Sequence, residues 1–254
     1  MKIFITILLL LVSLNATEFH LRKYSNVKEF YNSISEDVIK LSIKYNTPPA
    51  AILAIAGLES GYGSGYVAQI TGNILSLGAG KSEKELPSLN LPYCKNDKNK
   101  IALFDPALQK KCKQLIWKIR PKSLKKDYRP DFLAGTTKSL EYFKYNPNAY
   151  KQAKLKNIED FLTKWINSNH KYKPFRTSKL WLENQVNKYG VKTLFNLKTN
   201  LTFINKIGGK KNSFNYRKSW IKKVNYILKN TGLTELSQQI YFNKDSFEKA
   251  WNKI

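Results

Sequence analysis

The chain has 254 residues, 42% of them hydrophobic and 13% aromatic, with 44 Lys and Arg against 18 Asp and Glu for a formal charge of +26. That apolar content excludes a disordered tail and a disulfide-dense miniprotein, and it suffices for one substantial core. The two histidines, His20 and His170, are far apart in sequence. This argues against a metal site built on clustered imidazoles, and so against zinc peptidases and amidases; no cofactor and no metal are expected.

Met1-Lys2 is a short basic start, and Ile3 through Val12 is an almost unbroken apolar run before Ser13-Leu14-Asn15-Ala16. The run is too short for a transmembrane helix, which takes about 20 apolar residues. It has the size of a secretory signal peptide over residues 1–16, with cleavage after Ala16. An uncleaved anchor is the alternative. No later segment reads as a membrane span, so an exported protein is expected. Its basic surface would attract anionic polymers. No nucleic-acid-binding motif is present, which leaves anionic envelope material or lipid headgroups as the natural partners. The plainer reading is a Lys-rich surface that only solubilises the chain.

Residues 26–46 carry Val27, Phe30, Tyr31, Ile34, Val38, Leu41 and Tyr45 at helical spacing. After Asn46, Thr47 is placed to cap and Pro48 to open a second helix. Ala50 through Leu58 is apolar on every side, as a buried helix requires. Glu59-Ser60-Gly61 ends it, with Gly61 suited to a left-handed stop. From Gly72 to about Tyr128, Gly, Pro, Asn and Lys are frequent and helical periodicity is poor. Residues 101–104 and 115–119 suit short strands. This stretch, about 73–128, reads as a small β-lobe pinned by Cys94 and Cys112. A lone cysteine pair in an oxidising compartment is read first as a disulfide, worth about 3 kcal/mol. A nucleophilic thiol paired with His170 is the alternative.

Helices resume after Pro130-Asp131. Phe132, Leu133, Leu140 and Phe143 mark one, Asn146-Pro147 opens another, and Asn157 is expected to begin a third. Leu180, Trp181 and Val186 mark a fourth, stopped near Gly190. Trp220, Ile221, Val224, Ile227 and Leu228 form a later stripe ending near Gly232, and Phe247, Ala250 and Trp251 a last one.

Glu59 is the residue that looks chemical. It closes an apolar helix, where burial and the negative helix end both raise a carboxyl pKa. A carboxylic acid still protonated near neutrality is what protonates a leaving glycosidic oxygen. The glycines after it allow close backbone approach, and Tyr62 and Tyr66 offer flat faces to a sugar. The competing reading is a solvated acid at a helix cap.

The segment Ala51-Ile52-Leu53-Ala54-Ile55-Ala56-Gly57-Leu58-Glu59-Ser60-Gly61-Tyr62-Gly63-Ser64-Gly65 resembles the active-site segment of the bacterial glucosaminidases, glycoside hydrolase family seventy-three. Gly72-Asn73-Ile74-Leu75-Ser76-Leu77 is similar to the family's Asn-Asn-Leu-Phe-Gly-Ile segment but keeps one asparagine. The run from Tyr142 to Tyr150 resembles its tyrosine-rich Asp-Pro stretch with altered spacing. The likeness covers about Val27 to Tyr172. It implies a mainly α, α+β, lysozyme-like fold with a small β-lobe, with a catalytic domain over 26–190. It also implies hydrolysis of the β-1,4 bond after N-acetylglucosamine in peptidoglycan, in a bacterial periplasm or envelope, with Glu59 as the acid. The likeness does not reach residues 191–254, a basic helical C-terminal extension whose charge suggests a wall- or membrane-targeting appendage; extra helices packed on the catalytic core are the equal alternative, because the Trp220 stripe demands burial.

The second catalytic element stays open between a β-lobe carboxylate and the substrate's own acetamide oriented by a tyrosine. Glu83, Glu85, Asp97 and Asp105 are the carboxylate candidates, Asp97 and Asp105 preferred. Tyr145, Tyr150 and Tyr172 are the phenol candidates, with Tyr150, Tyr172 and Asn73 also placed against substrate. Two rivals stand beside this reading. One is a lytic transglycosylase on the same fold, against which the missing downstream Gly-Leu-Met-Gln segment counts. The other is a non-catalytic cationic wall-binding protein.

Overall fold

The computed structural model describes residues 19–78, 90–95, 97–101, 112, 114–119, 143 and 145–253. The expected signal peptide, Glu83, Glu85, Asp105 and the helix expected at 132–142 lie outside the described residues. The protein is mainly helical. After a 3-10 turn at His20–Lys23 come α1 (Ser25–Lys44), α2 (Pro49–Ser60) and the short α3 (Tyr66–Thr71). Strands β1 (Asn90–Cys94), β2 (Asp97–Ile101) and β3 (Leu115–Ile119) follow. The rest is α4 (Pro147–Asp160), α5 (Lys173–Tyr189), α6 (Leu197–Ile207), α7 (Lys218–Asn230), α8 (Leu233–Phe242) and α9 (Phe247–Lys253).

The position of α2 follows from its composition. Every residue from Pro49 to Gly57 is buried, because a helix without a polar face must be covered all round. Helices α1, α6, α7 and α8 supply the cover. Pro49, rather than Pro48, takes the first helical position, and the Thr47 hydroxyl donates to Ser42 O instead of capping α2. The open donors of the first turn are met from α6, where Asn200 Oδ1 accepts from Ala51 N at 2.8 Å. Asn200 Nδ2 donates onward to Leu194 O and Asn196 O.

The strands form one antiparallel sheet in the order β2-β1-β3, with Cys94 opposite Leu115 and Asn90 opposite Ile119. The strand expected at 115–119 is present. Of the one expected at 101–104, Ile101 ends β2 and residues 102–104 lie outside the described residues; β1 is an addition to the expected strands. Cys94 and Cys112 are disulfide-paired, with Cα atoms 5.5 Å apart; this removes the thiol nucleophile.

Asn157 does not start a helix. It sits inside α4, which runs into a π-helical turn at Phe161–Trp165. Its buried amide is committed to tertiary bonds: Oδ1 accepts from Leu75 N at 2.9 Å and Nδ2 donates to Asn73 Oδ1 at 3.0 Å.

Residues 191–253 supply helices that pack on the core, as the second of the two readings expects. Phe203, Ile204, Trp220, Val224, Leu236 and Trp251 share one hydrophobic cluster with Phe30, Ile34 and residues 50–56 of α2. The two ends of the chain are also joined. Arg22, in the first turn, donates to Thr231 O, Gly232 O and Trp251 O, with its guanidinium 4.5 Å from the Trp251 ring centroid. Burial lowers its pKa to about 10. Removing residues 191–254 therefore uncovers α2. The truncated chain is expected to lose its cooperative thermal transition by circular dichroism. A cooperative melt of that fragment would make 26–190 a self-sufficient domain.

Candidate active site

Helix α2 ends in a turn that its sequence specifies closely. Gly61 is left-handed at φ 56°, ψ 49°, which a side chain would resist. Tyr62 N donates to Gly57 O at 2.9 Å and Gly61 N to Leu58 O, the six-to-one and five-to-two bonds of a Schellman stop. Ser60 locks the turn from inside: its hydroxyl donates to Ala56 O and accepts from Gly63 N at 2.8 Å, while its carbonyl accepts from Gly65 N. Glu59 is thereby held on the last turn of a helix that is buried from Pro49 to Gly57.

The Glu59 carboxyl is half-buried and turned towards α7, where its Oε1 accepts from Trp220 Nε1 at 2.6 Å. Burial raises its pKa, and the indole hydrogen bond, which favours the anion, opposes part of that rise. The negative end of α2 acts with burial. No charged group among the described residues contributes to the shift. Trp220 is itself buried. Its ring lies 5.3 Å from Phe214, which is 5.3 Å from Phe161. A Cβ at Gly208 would collide with the indole, so glycine there is what lets the ring reach Glu59. A carboxylic acid against an indole, in a mostly apolar setting, is one way a protein keeps an acid protonated near neutrality.

The second wall is the segment after α3. Asn73 was expected against substrate; instead it is buried and braces the main chain. Its Nδ2 donates to Leu77 O and its Oδ1 accepts from Leu77 N and Asn157 Nδ2. This loop brings exposed Ser76, left-handed at φ 49°, alongside Glu59, its hydroxyl 3.5 Å from Glu59 O.

The other candidates are dispersed. Tyr62 is half-buried in an edge-to-face cluster with Phe30 and Tyr31, and burial lifts its phenol to about 12. Tyr66 opens α3. Asp97 begins β2. Tyr145 is 75% exposed. Tyr150 is half-buried beside Phe143, with Lys154 Nζ 4.6 Å from its ring centroid and a phenol raised to about 12 by burial. Tyr172 caps α5 and packs near His170, which stacks on Trp165. Glu59 takes its polar partner, Trp220, from a helix 161 residues further on. Trp220 was read as a core residue. Its place at the head of an apolar stripe signals burial, but nothing local reveals a partner 161 residues away.

No family model, no curated protein and no solved structure matches the chain. Among the described residues no helix is long and apolar enough to cross a membrane.

The raised carboxyl has a consequence for stability. The folded chain holds the Glu59 proton above the ordinary value of 4.5, so it binds more protons than the unfolded chain in that window. Stability is then lost as pH rises through it. Glu59→Gln keeps an acceptor for Trp220 and cannot ionise. Its melting temperature relative to the native chain is expected to rise between about pH 4 and about pH 8. A relative fall in thermal melts across that range would contradict the pKa direction.

Proposed function

We propose that the protein is an exported glycoside hydrolase of the bacterial envelope. It cleaves the β-1,4 bond after N-acetylglucosamine in peptidoglycan strands, with Glu59 as general acid. The observation that carries this reading is the Glu59 carboxyl, half-buried on a rigid helix end, raised by burial and aimed by the Trp220 indole. The Glu-Ser-Gly turn after an apolar helix supports it through the resemblance to the glucosaminidases, whose lysozyme-like arrangement it would share. The disulfide fits an oxidising compartment.

In the reaction, Glu59 gives its proton to the glycosidic oxygen as the bond to the anomeric carbon breaks, and water supplies the hydroxyl that this carbon takes up, its remaining proton replacing the one the acid gave. Gly61, Gly63 and Gly65 keep the turn after the acid short of side chains, which lets a polymer approach its main chain closely. Trp220 acts as a positioning residue: it holds one carboxyl oxygen and leaves the other for the sugar. After proton transfer the same indole stabilises the carboxylate.

Glu59→Gln is expected to abolish release of soluble fragments from purified walls, while the variant stays folded and still sediments with them. Unchanged lysis removes Glu59 from the chemistry. Mass analysis of the native digest is expected to give reducing N-acetylglucosamine ends; anhydromuramic ends would replace hydrolysis by internal attack. Trp220→Phe removes a donor that lowers the Glu59 pKa. The alkaline limb of the activity profile is expected to move to higher pH, with some loss of rate. A limb that moves to lower pH would contradict the role given to the indole.

A further inference from the structure

A cavity of about 650 Å³ lies away from Glu59, bounded by the end of α5, the 3-10 turn Val191–Phe195, the start of α6, and α8. Its volume is in the range of small-ligand sites. Its position relative to Glu59 is set by α2. Asn196 and Thr199 line the cavity, and Asn200, beside them, holds Ala51 N in the first turn of α2. Glu59 is in the last turn, eight residues on, about 12 Å along the helix. The two places are at opposite ends of one rigid element.

The lining is specific in kind. Trp181, Tyr189 and Phe242 contribute rings, the last two about half exposed. Lys192 and Lys198 contribute exposed cations, and among the described residues no carboxylate lines the cavity. Neither lysine forms an ion pair among the described residues. Two further lysines stand at its rings: Lys206 Nζ lies 5.2 Å from the Trp181 centroid, and Lys188 Nζ 5.2 Å from that of Tyr189. Side-chain amides are also present, and Gln238 spends its Nε2 on Phe195 O, which leaves its carbonyl to accept. Rings, hydroxyl-matching amides and uncompensated cations in one ligand-sized hollow match a sugar polymer that bears carboxylates.

We propose that this cavity is a second glycan-binding site, for a stretch of carboxylate-bearing amino-sugar strand. It anchors the protein while another stretch lies at Glu59. It rests on the wall-glycan reading for the identity of the polymer, but not on Glu59 chemistry. Two linked sites on one polymer bind far more tightly than either alone when the geometry lets both engage.

The test uses the full chain carrying Glu59→Gln, with a soluble tetrasaccharide of alternating N-acetylglucosamine and N-acetylmuramic acid followed by calorimetry at low salt. Two equivalents are expected. Lys192→Glu with Lys198→Glu, both at exposed positions, is expected to weaken the second by about tenfold, the scale of two lost polyanion contacts, and to leave the first unchanged. With native Glu59, the same pair is expected to leave cleavage of the soluble tetrasaccharide unchanged and to reduce binding to intact walls. Tyr189→Ala is the second variant, expected to weaken the same equivalent without reversing charge. One equivalent that the lysine pair abolishes keeps this site and removes glycan binding at Glu59. Two equivalents unaffected by either variant overturn the proposal. So does a single-stranded oligonucleotide that displaces the tetrasaccharide from this site at lower concentration.

Discussion

The hydrogen bond from the Trp220 indole to the Glu59 carboxyl organises much of what surrounds it. Helix α2 has no polar face, so it needs a complete coat, and α7 is part of that coat. The same packing that buries α2 delivers a single N–H donor to the acid at its end. The carboxyl is thus poised between two opposed influences: burial favours its proton, and the indole moderates that preference so that the anion formed on proton transfer is not stranded. A chain without residues 191–254 would lose both the coat and the donor.

Buried amides set the rest of the frame. Asn200 fixes the start of α2, and Asn157 fixes the loop that carries Ser76 past Glu59. Asn73 closes that loop on itself. Each spends its side chain on main-chain groups that would otherwise be buried without partners. Asn73 lies in a segment that resembles a family motif, yet here its contribution is to the shape of the wall beside the acid. The network makes that wall stiff, since removing any one amide leaves several groups unsatisfied.

Much of this was legible in sequence wherever a single segment carried the signal. The stripe of α1, the all-apolar α2, its Gly61 stop, the cysteine pair and the upward push on Glu59 each follow from local pattern. What escaped depended on contacts distant in the chain. Asn157 looks like a cap when read locally, because the partners that consume its amide are about eighty residues away. Helix α6 was missed because its start, Asn196-Leu197-Lys198-Thr199, reads as a polar loop until α2 supplies a surface for Phe203 and Ile204. The basic character of residues 191–254 left a targeting appendage and core-packed helices equally open, because charge reports on the solvent face of a helix while the opposite face of α7 is Trp220, Val224 and Leu228. The acid could be named from sequence; its partner could not.

Direct titration of the Glu59 carboxyl carbon by nuclear magnetic resonance, in the full-length protein with the resonance assigned by Glu59→Gln, tests the central claim most directly. A midpoint above that of an ordinary glutamate is expected. A midpoint at or below the ordinary value would mean a solvated carboxylate at a helix end, and the protein would be left without its general acid.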